Sequence, residues 1–148
     1  QQTTFMTKLS TKGLRYEPKI LLAWGESIGE NQKITEWLMK NGFPELGLFR
    51  YALRNEDRSR KWLLENGHPH LMALINGIEG NKQALDWLKN HGFDVLYEMA
   101  LTGDGDEEAY GKLMTTATKV FALLAKKMEY IKDEIEMNNT DIHRIDPN

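Results

Sequence analysis

The search for chemistry in this 148-residue chain begins with its four histidines, because there is no cysteine to supply a thiolate nucleophile or metal ligand. His68-Pro69-His70 and His91 fall in adjoining copies of an internal repeat, a placement that can gather imidazoles around zinc or nickel. The set lacks the i, i+4 spacing of ligands on one helix and has no clear carboxylate ligand beside it. In the repeat register His68 also stands where Phe43 and Phe93 stand, which favours a structural ring. A metal-binding protein or enzyme using His68, His70 and His91 is therefore an alternative reading, and no metal ligand or cofactor is assigned.

Asp104-Gly105-Asp106-Glu107-Glu108 has the look of a calcium loop but lacks the alternating ligands and the twelfth-position glutamate of an EF-hand. Asp106 reads better as a helix N-cap, with Glu107 and Glu108 complementing the helix dipole. No nucleophile elbow, phosphate loop, dinucleotide fingerprint or His-Glu-x-x-His motif occurs, and Ser10, Ser27 and Ser59 have no local activating partner. No catalytic residue is assigned, and the expectation is that the chain is not an enzyme.

The remaining chemical signal is charge. Arg50, Arg54, Arg58, Arg60 and Lys61 make one stretch basic, whereas Asp94, Glu98, Asp104, Asp106, Glu107 and Glu108 make a later one acidic. Arg50, Arg54 and Arg58 are candidate partner contacts, since a surface basic at one end and acidic at the other orients what it binds. Nucleic acid is the second alternative, through Arg50 to Lys61, although nearby acids oppose phosphate and the net charge is −3. No apolar run reaches membrane-spanning length and no signal-peptide core is present, so no membrane partner and a cytoplasmic location are expected.

These residues are positioned by a repeat. Trp37-Leu38, Trp62-Leu63 and Trp87-Leu88 stand 25 residues apart, each followed at one offset by Gly42, Gly67 or Gly92. Leu21, Trp24 and Ile28 extend the register upstream into Leu46, Phe49 and Leu53, then Leu71, Leu74 and Ile78. Ala109 and Leu113 extend it downstream, giving about four copies over residues 20–113. Each copy reads as two short helices, the second capped by Asn31, Asn81 or Asp106 and ended by its glycine. Pro44 and Pro69 suit the first turn of the helix that follows. Such helices are too short to stand alone and must stack to share a core, with the tryptophans and leucines inside.

Residues 1–19, including Phe5, Met6, Leu9, Leu14 and Tyr16, are expected to contribute a cap. From Asp106 to Met137 there is no proline, and the spacing predicts one helix of about 30 residues, on the order of 45 Å long. Phe121, Leu124, Met128, Ile131 and Ile135 form a heptad seam in its second half, expected to project beyond the stack and pair with another protein or a second copy. A polar, flexible tail is expected over residues 138–148.

Asn55 to Gly67 and Gly80 to Gly92 resemble the second half of an ankyrin repeat, whose helix closes on a Leu-Leu-x-x-Gly-like end. Phe43-Pro44-Glu45-Leu46 and His68-Pro69-His70-Leu71 are similar to the element that opens the first ankyrin helix. Ankyrin repeats are about 33 residues long, so the segment forming their projecting hairpin is missing here. The resemblance implies a right-handed stack of about four 25-residue helix pairs without hairpins, an all-α solenoid that binds proteins through a groove. The leading expectation is a protein-interaction or assembly module, homodimeric through the C-terminal helix.

Overall fold

A computed structural model describes residues 8–145, with side chains described over residues 8–140. Among these residues the chain forms nine helices and no strand. They are α1 (Pro18–Ile28), α2 (Gln32–Lys40), α3 (Pro44–Leu53), α4 (Asp57–Glu65), α5 (Pro69–Ile78), α6 (Lys82–Asn90), α7 (Asp94–Gly103), α8 (Glu107–Leu113) and α9 (Lys119–Ile145). Helices α2, α4, α6 and α8 begin at residues 32, 57, 82 and 107, in step with the sequence period.

Local chemistry sets these boundaries. The Asn31, Asn81 and Asp106 side chains accept from the amides of Ile34, Ala84 and Ala109, satisfying donors that the first helical turn leaves open. Pro44 and Pro69 each open a helix whose preceding residue, Phe43 or His68, is non-helical. The second helix of a pair ends on Gly42, Gly67 or Gly92 at φ +95°, +85° and +78°, a left-handed conformation that a Cβ would strain.

Packing is compatible with a helical repeat. Helices α1, α3, α5 and α7 lie side by side, and each second helix packs on the first helices flanking it. Trp24, Ile28, Leu46, Phe49, Leu71, Leu74, Leu96 and Met99 are buried along the inner row. Trp24 meets Phe49 edge to face at a centroid distance of 5.1 Å, joining α1 to α3. Of each Trp-Leu pair the leucine is the fully buried member (Leu38, Leu63 and Leu88), while Trp62 and Trp87 are half-buried against the core. Trp37 is 43% exposed. The tryptophan instead lies flat against the aromatic ring six residues on, with centroids 6.5, 5.8 and 5.4 Å apart for Trp37–Phe43, Trp62–His68 and Trp87–Phe93.

The single long helix expected from Asp106 to Met137 is two helices. Thr118 donates its hydroxyl to the Leu113 carbonyl at 2.7 Å, taking the acceptor that a continuous helix would give to the amide four residues on. The Thr115 and Thr118 hydroxyls bond each other at 2.9 Å, and the Thr118 carbonyl accepts from Phe121 to start α9. Apolar spacing continues unbroken through such a corner, so periodicity alone does not reveal it. At its other end α9 runs through Ile145, where a tail had been expected from residue 138.

After the corner α9 returns across the row and packs on α1, α3, α5, α7 and α8. Ahead of α1, residues 8–17 form a strap over the starts of the inner helices. Ser10 exchanges bonds with Asp94 and Val95 of α7, and Tyr16 donates to Glu45 of α3 at 2.7 Å. Leu14 between them is buried. The expected cap therefore runs along several pairs. Phe5 and Met6 lie outside the described residues.

If α9 is part of one core with the repeats, Met128→Ala should lower unfolding free energy by about 2–5 kcal/mol, as for a buried methionine within a repeat. Urea unfolding followed by tryptophan fluorescence and far-ultraviolet dichroism should stay a single coincident transition. Two separate transitions would show that α9 unfolds independently.

Candidate functional site

The partner seam expected on α9 faces inward. Phe121, Leu124, Met128 and Ile131 are each 5% exposed or less, and Ile135 is half-buried against the same core. Leu124 reaches Gly25 of α1 so closely that a Cβ there would stand 3.2 Å from its methyl group. Lys127 and Lys132 donate to the Gly25 and Ile78 carbonyls, at the C-terminal parts of α1 and α5, where cations are favoured. A heptad seam records which residues need burial without naming what buries them. Here the unpartnered face of the inner row does so, and the same packing fills the groove that the ankyrin-like reading left open.

The outward face of α9 is a second seam. Leu123, Tyr130 and Met137 recur at seven-residue intervals and are 48%, 66% and 66% exposed. Lys127 and Glu134 complete a 4-3-4-3 spacing between them. Leu22 of α1, 65% exposed, stands beside Leu123 across a cleft of about 290 Å³. That cleft shares Leu123 and Lys127 with one of about 700 Å³ walled by Ile28, Arg54, Lys126, Tyr130, Ile131 and Glu134. The two make one apolar channel along α1 and α9. Charge is divided along its exposed side: Lys126 and Lys127 lie on one side of Tyr130, with Asp133, Glu134 and Glu136 on the other, while half-buried Glu129 pairs with Lys126 and half-buried Lys132 with Asp104. This seam was readable from the seven-residue recurrence of Leu123, Tyr130 and Met137, but the stronger inward seam masks it.

The basic stretch does not gather into a patch. Arg50 donates to Gln32 and Thr35 at 2.8 and 3.0 Å, Arg54 pairs with Glu30, and Arg60 bonds the Ala52 carbonyl, Asn55 and Glu79. These guanidiniums tie one helix pair to the next. Arg58 stands apart from them, exposed in the first turn of α4.

His68 and His70 sit with ring centroids 5.9 Å apart, and His70 lies flat on Phe93 at 5.3 Å. His91 stacks on Trp87 instead, with its Nδ1 2.8 Å from the Trp87 carbonyl oxygen, so the three imidazoles do not converge. Among the described residues no three His, Cys, Asp or Glu side chains are grouped to hold a metal ion, and no helix is long and apolar enough to cross a membrane.

Comparison with protein-family models, curated proteins and solved structures finds no match for this chain.

Burial holds the His70 imidazole below its ordinary value, with His68 and Lys12 lowering it further and Glu45 opposing them. The unfolded chain therefore takes up this proton first as pH falls through 6.5. Stability should drop through that window and level off once the folded ring is charged as well. His70→Phe should flatten the dependence of chemical-denaturation stability between about pH 7 and 5. An unchanged slope would assign the effect to another group.

Proposed function

We propose that this chain is an assembly module, a right-handed stack of about four helix pairs that homodimerises through the outward face of α9. The observation carrying the reading is that this face is complementary to itself in one orientation. A two-fold axis through Tyr130 sets two α9 helices antiparallel and places Leu123 opposite Met137, Lys126 opposite Glu134 and Lys127 opposite Asp133. A parallel pair would set lysines against lysines and carboxylates against carboxylates, so charge selects the antiparallel arrangement. Leu22 from each copy would extend the contact into a four-helix layer of α1 and α9 with their counterparts.

A seam of three large apolar residues with Leu22 sits at the low end of the size range for specific interfaces. The expected dissociation constant is on the order of 1–10 µM. The reading keeps the α9 dimer expected from sequence but moves it from the Phe121–Ile135 face to the Leu123–Met137 face.

Light scattering across a concentration series should show mass rising from 17.1 kDa toward twice that value. Tyr130→Lys, at an exposed position, should hold the chain monomeric with an unchanged far-ultraviolet spectrum. Ile131→Lys would instead report on folding, because Ile131 belongs to the core. A charge-swap pair tests whether these charges meet across the contact. Lys126→Glu with Lys127→Glu, and Asp133→Lys with Glu134→Lys, should each be monomeric alone and associate when mixed. A wild-type mass that stays at 17.1 kDa up to about 100 µM would reject the dimer.

A further inference from the structure

Away from the α9 seam, between α6, α7, α8 and the strap, lies a cleft of about 460 Å³. Its polar lining is Asp94, Glu98, Asp106 and Glu108 against Lys89 and Lys112, two more acids than bases. Two of the carboxylates have local work. Asp94 accepts from the Ser10 amide, and Asp106 caps α8 through the Ala109 amide. Lys89 is drawn over the Tyr97 ring, 5.4 Å from its centroid.

Glu98 is different. It projects from the middle of α7, its side chain is 9% exposed, and its Oε1 is sealed from solvent with no hydrogen-bond partner. The nearest cation, Lys112, holds its Nζ 4.0 Å from Oε2, beyond hydrogen-bonding range, and is itself 56% exposed. A buried carboxylate without a donor is costly, and in a folded protein such a group usually has a reason to be there. Burial, the largest influence, pushes the Glu98 carboxyl above its ordinary range, and Lys112 only partly offsets it.

We infer that this cleft is a binding site for an organic cation, an ammonium or guanidinium head on a short apolar stem, with Glu98 as the charge-pairing residue. The head displaces Lys112 and donates to the Glu98 carboxylate, whose broad terminal torsion can present either oxygen. The stem lies against Leu9, Tyr97, Leu101 and Ala109, which a metal ion would leave unused. The volume suits one amino-acid-sized group. It can come from a free amine or from an arginine or lysine side chain of another protein.

The test is a titration of the intact chain with agmatine, with a capped Gly-Arg-Gly peptide and with neutral butylurea, read by amide chemical shifts. Agmatine or the peptide should give saturable shifts at residues 97–112 with a dissociation constant on the order of 1 mM, and butylurea should not. Tighter binding of the peptide would identify a partner's side chain as the source, and tighter binding of agmatine a free amine. Glu98→Gln keeps the side-chain shape and should weaken binding about tenfold without loss of folding, while Lys112→Ala should tighten it several-fold. The inference falls if neither cation gives saturable shifts, or if Glu98→Gln, folded by its amide spectrum, binds as well as the parent chain.

Discussion

The contact on which the rest depends is the inward seam of α9 against the inner row of first helices. A helix pair of about twenty residues buries one stripe, so such pairs side by side still leave an apolar face along the row. Phe121, Leu124, Met128 and Ile131 cover that face from within the chain. The orientation of everything else follows. Because these residues face in, Leu123, Tyr130 and Met137 must face out. Because α9 packs beside α1, a channel opens between those two helices.

Polar links hold the pairs in step where the apolar core does not reach. Ser27 and Thr35 share a buried hydrogen bond at 2.6 Å between α1 and α2, and Arg50 reaches Thr35 from α3. Arg54 and Arg60 then carry the connection outward to Glu30 and Glu79, across the loops of adjoining pairs. On the opposite edge the aromatic pairs and the strap do the same work, with Lys12 over the Phe93 ring at 4.6 Å and bonded to the His91 carbonyl. Exposed ion pairs alone would contribute little. Here several guanidiniums also bond backbone carbonyls or neutral side chains, so their geometry is fixed as well as their charge.

How much of this is legible in the sequence depends on the range of the physics involved. Caps, glycine stops and proline starts act within a turn, and Asn31, Asn81, Asp106, Gly42 and Pro44 stood at helix ends as their types require. The 25-residue register likewise repeats local chemistry. What escaped was decided at distance or by a competition between similar local choices. Thr118 could have stayed in a helix, and its hydroxyl bond to Leu113 turned the chain instead. Periodicity marked Phe121 to Ile135 as needing burial but could not say that α1 would supply part of it. Arg54 and Arg60 looked like surface charge because their partners lie 24 and 19 residues away. In the candidate channel, the residues of α9 were readable from spacing and Leu22 was not, since only packing brings α1 alongside. Glu98 carried no sequence signal beyond membership of an acidic stretch.

The return of α9 onto α1 has a consequence for how the chain is made. Lys127 meets the Gly25 carbonyl across 102 residues of sequence, so α1 leaves the ribosome well before the helix that covers it. The helix pairs between them fold through contacts between near neighbours and can assemble as they emerge. Until α9 arrives, the face formed by Leu21, Trp24, Ile28 and their counterparts is open to solvent. The growing chain thus carries an adhesive surface until α9 emerges, and that helix acts as a late-arriving chaperone to the pairs before it.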